Sequence, residues 1–417
     1  MSKPINSQAR LVAGLDIGSS KIVFLIGTPG AHGEIDVIGI GNQPSPGMRH
    51  GVLINIDLTA EAIAKAKEEA ELMAGHKVDE VWVAVSGTHV RSFDSKGMVA
   101  IRNKEVNQED ILRVIEAAKA VAVPADREVL HVLPREFKID EQEGISDPIG
   151  MSGVRLEALV HIVTAGQTAL LNTVKATQKA GLKVKGLVLG QLASSLSVLS
   201  QDEKNLGVAV VDMGGGTSDL IIYVHGSVAY TSILPIGGQY FTHDVAVGLR
   251  TPQDSAEEVK KKYGSSLLRL ITEEETVEVK SVGGRENRMV LRKNLCEILE
   301  PRAEETLNLI QNEITKSGLI VHLGSGVVMT GGASLLDGLV EMGEFIFDIP
   351  VRRANPANVG GLTDVVKSPM FATAVGLLLY GIKEENLNQG IISKDFKIPA
   401  VVADWARRLR DMVTQGL

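Results

Sequence analysis

At about 150 residues per domain, a chain of 417 residues has room for roughly three folding units and a large buried core. A formal charge of −8, from 43 basic and 51 acidic residues, disfavours non-specific attraction to a polyanion, so no nucleic-acid partner is expected. The single cysteine, Cys296, excludes an internal disulfide and a multi-thiolate metal site, and 44% hydrophobic residues with 43 glycines point to an aliphatic α/β core with many tight turns.

The polar start and the early Asp16 do not read as a secretory leader. Leu182 to Leu199 and Phe371 to Ile382 are too interrupted or too short to cross about 30 Å of hydrocarbon. Leu11 to Ile26 reads as a strand, an Asp16-x-Gly18 turn and a second strand. A helix follows from Asp57 to Met73, closed by Gly75, then a strand from Glu80 to Val85. Thr88 to His161 reads as an insertion with a strand around Val99, a helix capped by Asn107 and Asp110, a stop at Pro124 and two further strands.

From Gly207 the opening plan repeats. A strand leads into Asp212-Met-Gly214-Gly215-Gly216-Thr217-Ser-Asp219 and a second strand, which implies two similar domains facing each other. A second insertion from Gly237 to about Leu299 precedes an amphipathic helix expected from Pro301 to Ile314. Both insertions are expected at outer edges. Gly326 to Leu335 reads as a buried strand, a double glycine and a helix start. Lys383 to Lys397 reads as a linker. A last helix gathers Val402, Trp405, Leu409, Met412 and Val413 on one face, flanked by Arg408 and Arg410.

Gly214, Gly215 and Gly216 let backbone N–H groups approach phosphate oxygens, and Thr217 adds a hydroxyl donor. A carboxylate beside a polyanion needs a cation between them, so Asp16 and Asp212 imply a hydrated Mg²⁺ held through water and phosphates. Gly18, Ser19, Ser20 and Lys21 offer a bend, two hydroxyls and a cation for a β- or γ-phosphate. The same letters also fit glycine-rich hairpins with self-capping aspartates and an outward-pointing Lys21. Gly331 and Gly332 present bare backbone to a flat ligand. Glu257 and Lys260 either reach ribose and adenine or are solvated charges on a helix face. No G-x-x-x-x-G-K-[ST], strand-borne G-x-G-x-x-G, H-x-x-x-H or G-x-S-x-G occurs, which sets aside P-loop, dinucleotide, zinc and serine-hydrolase chemistry.

The ordered set of Asp16-x-Gly18, Asp212-x-Gly-Gly-Gly-Thr217-x-Asp219 and Thr330-Gly-Gly-Ala-Ser334 resembles the actin, Hsp70 and sugar-kinase superfamily. Within it, three segments resemble the bacterial FtsA family: Val129-Leu-His131 through Arg155-Leu-Glu157 to His161, Ser281-Val-Gly-Gly-Arg285, and Ile298-Leu-Glu300-Pro301-Arg302. The resemblance implies an α/β, actin-like ATPase fold of two duplicated domains around a nucleotide cleft. The implied first domain covers 8–87 and 165–204 with 370–384, and the inserted subdomain 88–164. The second domain covers 205–236 and 301–369 with a subdomain at 237–300, followed by a linker at 385–399 and an amphipathic membrane-targeting helix at 400–417.

It also implies ATP with Mg²⁺ as cofactors, with Gly238, Glu257, Lys260, Gly331, Gly332 and Ala333 around the nucleoside. Other family members of the Hsp70 type carry a Glu-Pro pair where this chain has Gly190-Gln191. Gln191, Asp212 and Asp219 are therefore expected to support weak hydrolysis or none. The implied role is a division protein that polymerises with itself and tethers FtsZ filaments to the cytoplasmic face of the inner membrane at midcell. Arg285, Glu300 and Arg302 would receive the FtsZ C-terminal tail, the inserted subdomain would receive other division proteins, and the terminal helix would bind anionic lipids. The alternatives are the related pilus-assembly adaptor and a small-molecule kinase of the same superfamily.

Overall fold

A computed structural model describes residues 10–30, 34–272 and 274–388. The expected terminal helix, with Val402, Trp405, Arg408, Leu409, Arg410, Met412 and Val413, lies outside the described residues.

The first half opens with an antiparallel meander of β1 (Val12–Ile17), β2 (Lys21–Pro29) and β3 (Ile35–Pro44), whose continuous apolar runs are buried. A short hairpin, β4 (Met48–Arg49) and β5 (Val52–Leu53), leads to α1 (Ile56–Ala74). The Asn55 side chain accepts the Leu58 N–H at the start of α1, and Gly75 ends it in the left-handed region at φ 67°. Then β6 (Glu80–Val85) pairs parallel with β1.

The insertion forms its own layer. β7 (Arg91–Ala100), α2 (Gln108–Lys119), β8 (Arg127–Ile139), β9 (Gln142–Ile145) and β10 (Arg155–Gly166) build a sheet in the order β7-β10-β8-β9. The helix packs Ile111, Val114 and Ile115 against Leu156, Val160 and Ile162, a core separate from the two larger ones. The expected capping box of Asn107 and Asp110 is present.

The chain returns through α3 (Gln167–Lys179), β11 (Lys183–Leu189), α4 (Gly190–Val198) and α5 (Gln201–Leu206). The second half then begins with β12 (Val208–Met213), β13 (Ser218–Val224) and β14 (Ser227–Leu234). Its outer part holds α6 (Gly238–Gly248), α7 (Gln253–Tyr263), β15 (Thr276–Val279) and β16 (Arg288–Leu291). It closes with α8 (Arg292–Ser317), β17 (Val327–Thr330), α9 (Leu339–Phe347) and β18 (Val351–Arg353). Last come β19 (Val359–Gly361), α10 (Thr363–Val366) and α11 (Ala372–Asn388), which rejoin the first half.

Two central sheets result, in the orders β11-β6-β1-β2-β3-β19 and β14-β13-β12-β17-β18. Each centres on a strand paired antiparallel to its successor and parallel to a later strand: β1 with β2 and β6, β12 with β13 and β17. The repeat of turns in the sequence is thus a repeat of sheet topology.

Three expectations require correction. The helix expected to start at Pro301 starts at Arg292, with Pro301 inside it. Proline at a first turn and proline inside a long helix lack the same N–H, and the packing of Leu295 and Leu299 carries the helix upstream. Of the linker expected at 385–399, residues 385–388 are the end of α11, and the rest lies outside the described residues. Glu385 is held there by Lys185 and, at 2.6 Å, by Arg10 Nε, so polar composition hid a helix end anchored by ion pairs. The insertion is also no mere outer appendage, for β7 and β10 bond to β14 of the second half. No helix among the described residues is long and apolar enough to cross a membrane.

Candidate functional site

The turns after β1 and β12 meet face to face at the junction of the two halves. An ideal Cβ on Gly215 would lie 2.8 Å from Ser20 Cβ, and one on Gly216 would lie 2.5 Å from Ser19 Oγ, so only glycine permits the approach. The second loop is fixed from behind: Gly238 and Gln239, at the start of α6, donate N–H to the carbonyls of Gly214 (2.9 Å) and Gly215 (2.8 Å). The first loop is pinned by Gly18 N–H to Lys21 O at 3.0 Å, by Gly51 N–H to Ser19 Oγ at 2.7 Å, and by Gln239 Nε2 to Ser19 O at 3.1 Å.

Three carboxyls converge beneath these loops. Asp16 ends β1, Asp212 ends β12, and Asp219 begins β13 directly across from Asp212. Burial, with Asp212 nearby, pushes Asp16 up to about 6, against the smaller pull of Lys21. Burial also raises Asp212, and raises Asp219 to about 7. Each receives a hydroxyl from the first half: Thr373 Oγ1 donates to Asp212 Oδ2 at 2.8 Å, and Ser86 Oγ to Asp219 Oδ2 at 2.5 Å. Asp219 Oδ1 has no protein partner, nor has either amide atom of the fully buried Gln191. Gln191 sits at the N-terminus of α4 beside Gly190, whose ideal Cβ would lie 3.7 Å from Asp219 Oδ2.

Unpaired buried polar atoms are costly, which makes this cluster a place for water, ion or ligand. Among the described residues no three carboxylate, imidazole or thiolate groups could hold a metal by themselves. A cation bound here would need its shell completed by water and ligand oxygens.

Lys21 is close enough to the carboxyls to feel them, yet its ammonium donates to Met370 O at 2.6 Å and lies 4.5 Å from the Phe371 ring centre. Burial lowers it to about 8. On the other side, Gly331 enters the third turn at φ 83°, and a Cβ there would lie 2.4 Å from Asp212 Oδ1 and 2.5 Å from Met213 O. Ala333 follows, with its Cβ 3.3 Å from the ideal Cβ of Gly238. Lys260 donates to Gly238 O at 3.0 Å, Thr242 Oγ1 at 2.8 Å and Glu257 Oε2 at 2.6 Å. Glu257 and Lys260 are thus a partly buried, mutually bonded pair on α7 that reaches Gly238 and Thr242 of α6, rather than solvated charges. Burial alone would raise Glu257, but Lys260, Thr242 and Lys261 bring it below its ordinary value.

The structure therefore brings together Asp16, Gly18 to Lys21, Asp212 to Thr217, Asp219, Gln191, Gly238, Glu257, Lys260 and Gly331 to Ala333. The residues expected to receive a peptide tail are dispersed in their bonding. Arg285 is exposed on the loop before β16, Glu300 accepts the Leu268 N–H at 3.1 Å, and Arg302 forms a bidentate pair with Asp244 at 2.5 and 3.2 Å. Sequence reading missed Ser86, Gln239, Thr242 and Thr373, which act only through partners far along the chain.

The sequence matches the family described as "Cell division protein FtsA" over residues 209–376 and that described as "SHS2 domain inserted in FTSA" over residues 87–164. It is 47% identical over 377 residues to the cell division protein FtsA of Pseudomonas aeruginosa, covering 90% of each chain. It is 42% identical over 407 residues to FtsA of Escherichia coli, covering 96% of each. Among solved structures, a PilM-PilN type IV pilus biogenesis complex superposes at TM-score 0.63 with 19% identity, covering 89% of this chain and 98% of that one. MreB5 of Spiroplasma citri bound to ADP superposes at 0.54 with 12% identity, covering 91% and 98%, a likeness of fold.

Proposed function

This chain belongs to the FtsA family of cell division proteins, and from that membership we propose that it is an ATP-binding, actin-like adaptor which polymerises and tethers FtsZ filaments to the cytoplasmic face of the inner membrane. The observation that carries the nucleotide part is the closed contact between the two glycine turns above three raised carboxyls, one from the first half and two from the second. A Mg²⁺ ion, held by Asp16 and Asp212 through water, would let these carboxyls ionise beside phosphate and would neutralise the phosphate charge. The orphaned Gln191 amide and Asp219 Oδ1 suit such a hydrated centre. Gly238, Lys260 and Ala333 line the side on which the nucleoside would lie.

Gln191 can orient a water but cannot take its proton, so turnover should stay below about 1 s⁻¹. Arg302 is the centre of the FtsZ-tail reading. Its guanidinium lies 5.8 Å from the Tyr240 ring centre and is held by Asp244, so an acidic tail residue would compete with Asp244 for it.

Titration calorimetry with Mg·ATP tests the first part: saturable binding that is lost in Asp212→Asn is expected, and absence of binding would overturn the nucleotide reading. Flotation with anionic vesicles, full chain against a chain ending at Pro399, tests attachment. Equal flotation of both would refute the terminal anchor. Capture of an FtsZ tail peptide by the full chain, weakened in Arg302→Ala, tests the partner.

A further inference from the structure

The inserted subdomain grips the second half at a point where no backbone joins them. Ser92 on β7 donates its hydroxyl to the Thr231 carbonyl at 3.0 Å, and His161 on β10 places Nε2 3.0 Å from the Thr231 hydroxyl. Behind it, His161 Nδ1 lies 2.8 Å from Asp94 Oδ1, while Arg135 holds the other oxygen of Asp94. Burial would raise Asp94, but the hydrogen bond from His161 and the charge of Arg135 bring it below its ordinary value. With Asp94 ionised, Nδ1 carries the proton and Nε2 accepts the Thr231 hydroxyl. His161 and Thr231 are both buried, so water does not readily replace the bond between them, while Asp94 holds the outer end of the row from an exposed position.

What Thr231 belongs to gives the row its meaning. It lies on β14 opposite Ile221 of β13. Two positions on, Ile233 faces Asp219, and Asp219 in turn faces Asp212 on β12. Three adjacent strands thus run from the grip to the carboxyls of the cleft. The halves are also bonded where the chain itself crosses between them, as in Ser195 to Tyr223 at 2.7 Å. The insertion is different, since its two chain connections both lead into the first half.

We propose that Asp94, His161 and Thr231 form a coupling latch through which the inserted subdomain and the cleft sense each other. A partner that engages the insertion changes nucleotide affinity, and bound nucleotide changes that partner's affinity by the same factor. The effect at the cleft rests on the nucleotide reading above, while the latch itself does not.

The test uses the full chain with Thr231→Val, which removes the hydroxyl at nearly constant volume, and Thr231→Ser, which restores it. Without nucleotide, hydrogen exchange of β10 and β14 should rise in the valine variant and return in the serine variant. Release of a fluorescent ATP analogue from Mg²⁺-loaded protein should be about five-fold faster with valine, as expected for one net hydrogen bond, and near wild type with serine. Should the valine variant fold poorly, Ser92→Ala loosens the same contact from the inserted side. Unchanged exchange in both variants would overturn the latch. Faster exchange with an unchanged release rate would overturn the coupling. If wild type bound no nucleotide, the nucleotide reading and the coupling would fall together, while the exchange comparison would still decide the latch.

Discussion

The turn after Asp16 and the turn after Asp212 hang from strands of the same topology, yet one carries Ser19, Ser20 and Lys21 where the other carries only glycine up to Thr217. The difference follows from what each touches. The second turn is enclosed, with Ser19, Ser20 and His50 against Gly215 and Gly216 on one side and the N–H groups of α6 on the other. The first turn provides the side chains that fill this contact. In a duplicated fold the two copies need not carry the same residues. They need to be complementary where they meet, and the glycines mark the copy that yields space.

Breaking this complementarity from the enclosed side should have the largest effect. Gly216→Val drives a branched side chain into Ser19 Oγ and the His50 backbone, so Mg·ATP affinity should fall at least about 100-fold, near 2.7 kcal/mol. Ser20→Ala, on the filling side of the same contact, should change affinity less than about three-fold. Titration calorimetry on the pair checks both, and equal losses would show that the loops are interchangeable rather than complementary.

The carboxyls beneath the two turns provide a second comparison, read by pH. Asp16 and Asp219 have folded values of about 6 and about 7 against an ordinary 3.8, so at these two groups the nucleotide-free native state binds more protons than the unfolded chain, whereas at His89 and His131, which burial lowers to about 4 from 6.5, it binds fewer. The carboxyls' contribution to stability must therefore fall as pH rises from about 4 to about 7, while that of the two imidazoles rises from about 4 to about 6.5. Asp16→Asn should remove its own part of that fall, between about 4 and 6, and Asp219→Asn its own part, between about 4 and 7. Thermal melting against pH without Mg²⁺ checks this. A melting-temperature difference between wild type and Asp219→Asn that stays constant through that window would contradict the burial of Asp219.

What could be read in the sequence was whatever a few consecutive residues encode. Asp16-x-Gly18, the glycine run to Thr217 and the double glycine at Gly331 specify their own backbone turns, and the capping box at Asn107 specifies its helix start. The bonds that make these turns a site are of another kind. Ser86 reaches Asp219 across 133 residues, and Thr373 reaches Asp212 across 161, through hydroxyls that any exposed loop also carries. Lys21 was legible as a cation near phosphates, but its bond to Met370 O depends on a backbone carbonyl, for which sequence has no letter. For Glu257 and Lys260 the sequence left solvated helix charges open beside a nucleoside contact, because their partners Gly238 O and Thr242 lie on another helix.

The effect expected at Thr373 is small, yet it separates the two halves' contributions most sharply. Its hydroxyl, at the start of α11 in the first half, donates to Asp212 Oδ2 of the second half and opposes the burial that raises that carboxyl. Thr373→Val keeps the shape and removes the donor, which makes ionised Asp212 harder to maintain. Nucleotide affinity should then weaken about three-fold at limiting Mg²⁺ and recover at saturating Mg²⁺, because added cation supplies the stabilisation that the hydroxyl no longer gives. A loss that is the same at every Mg²⁺ concentration would mean that Thr373 holds α11 in place rather than tuning the carboxyl. In that case the first half shapes the cleft through packing alone.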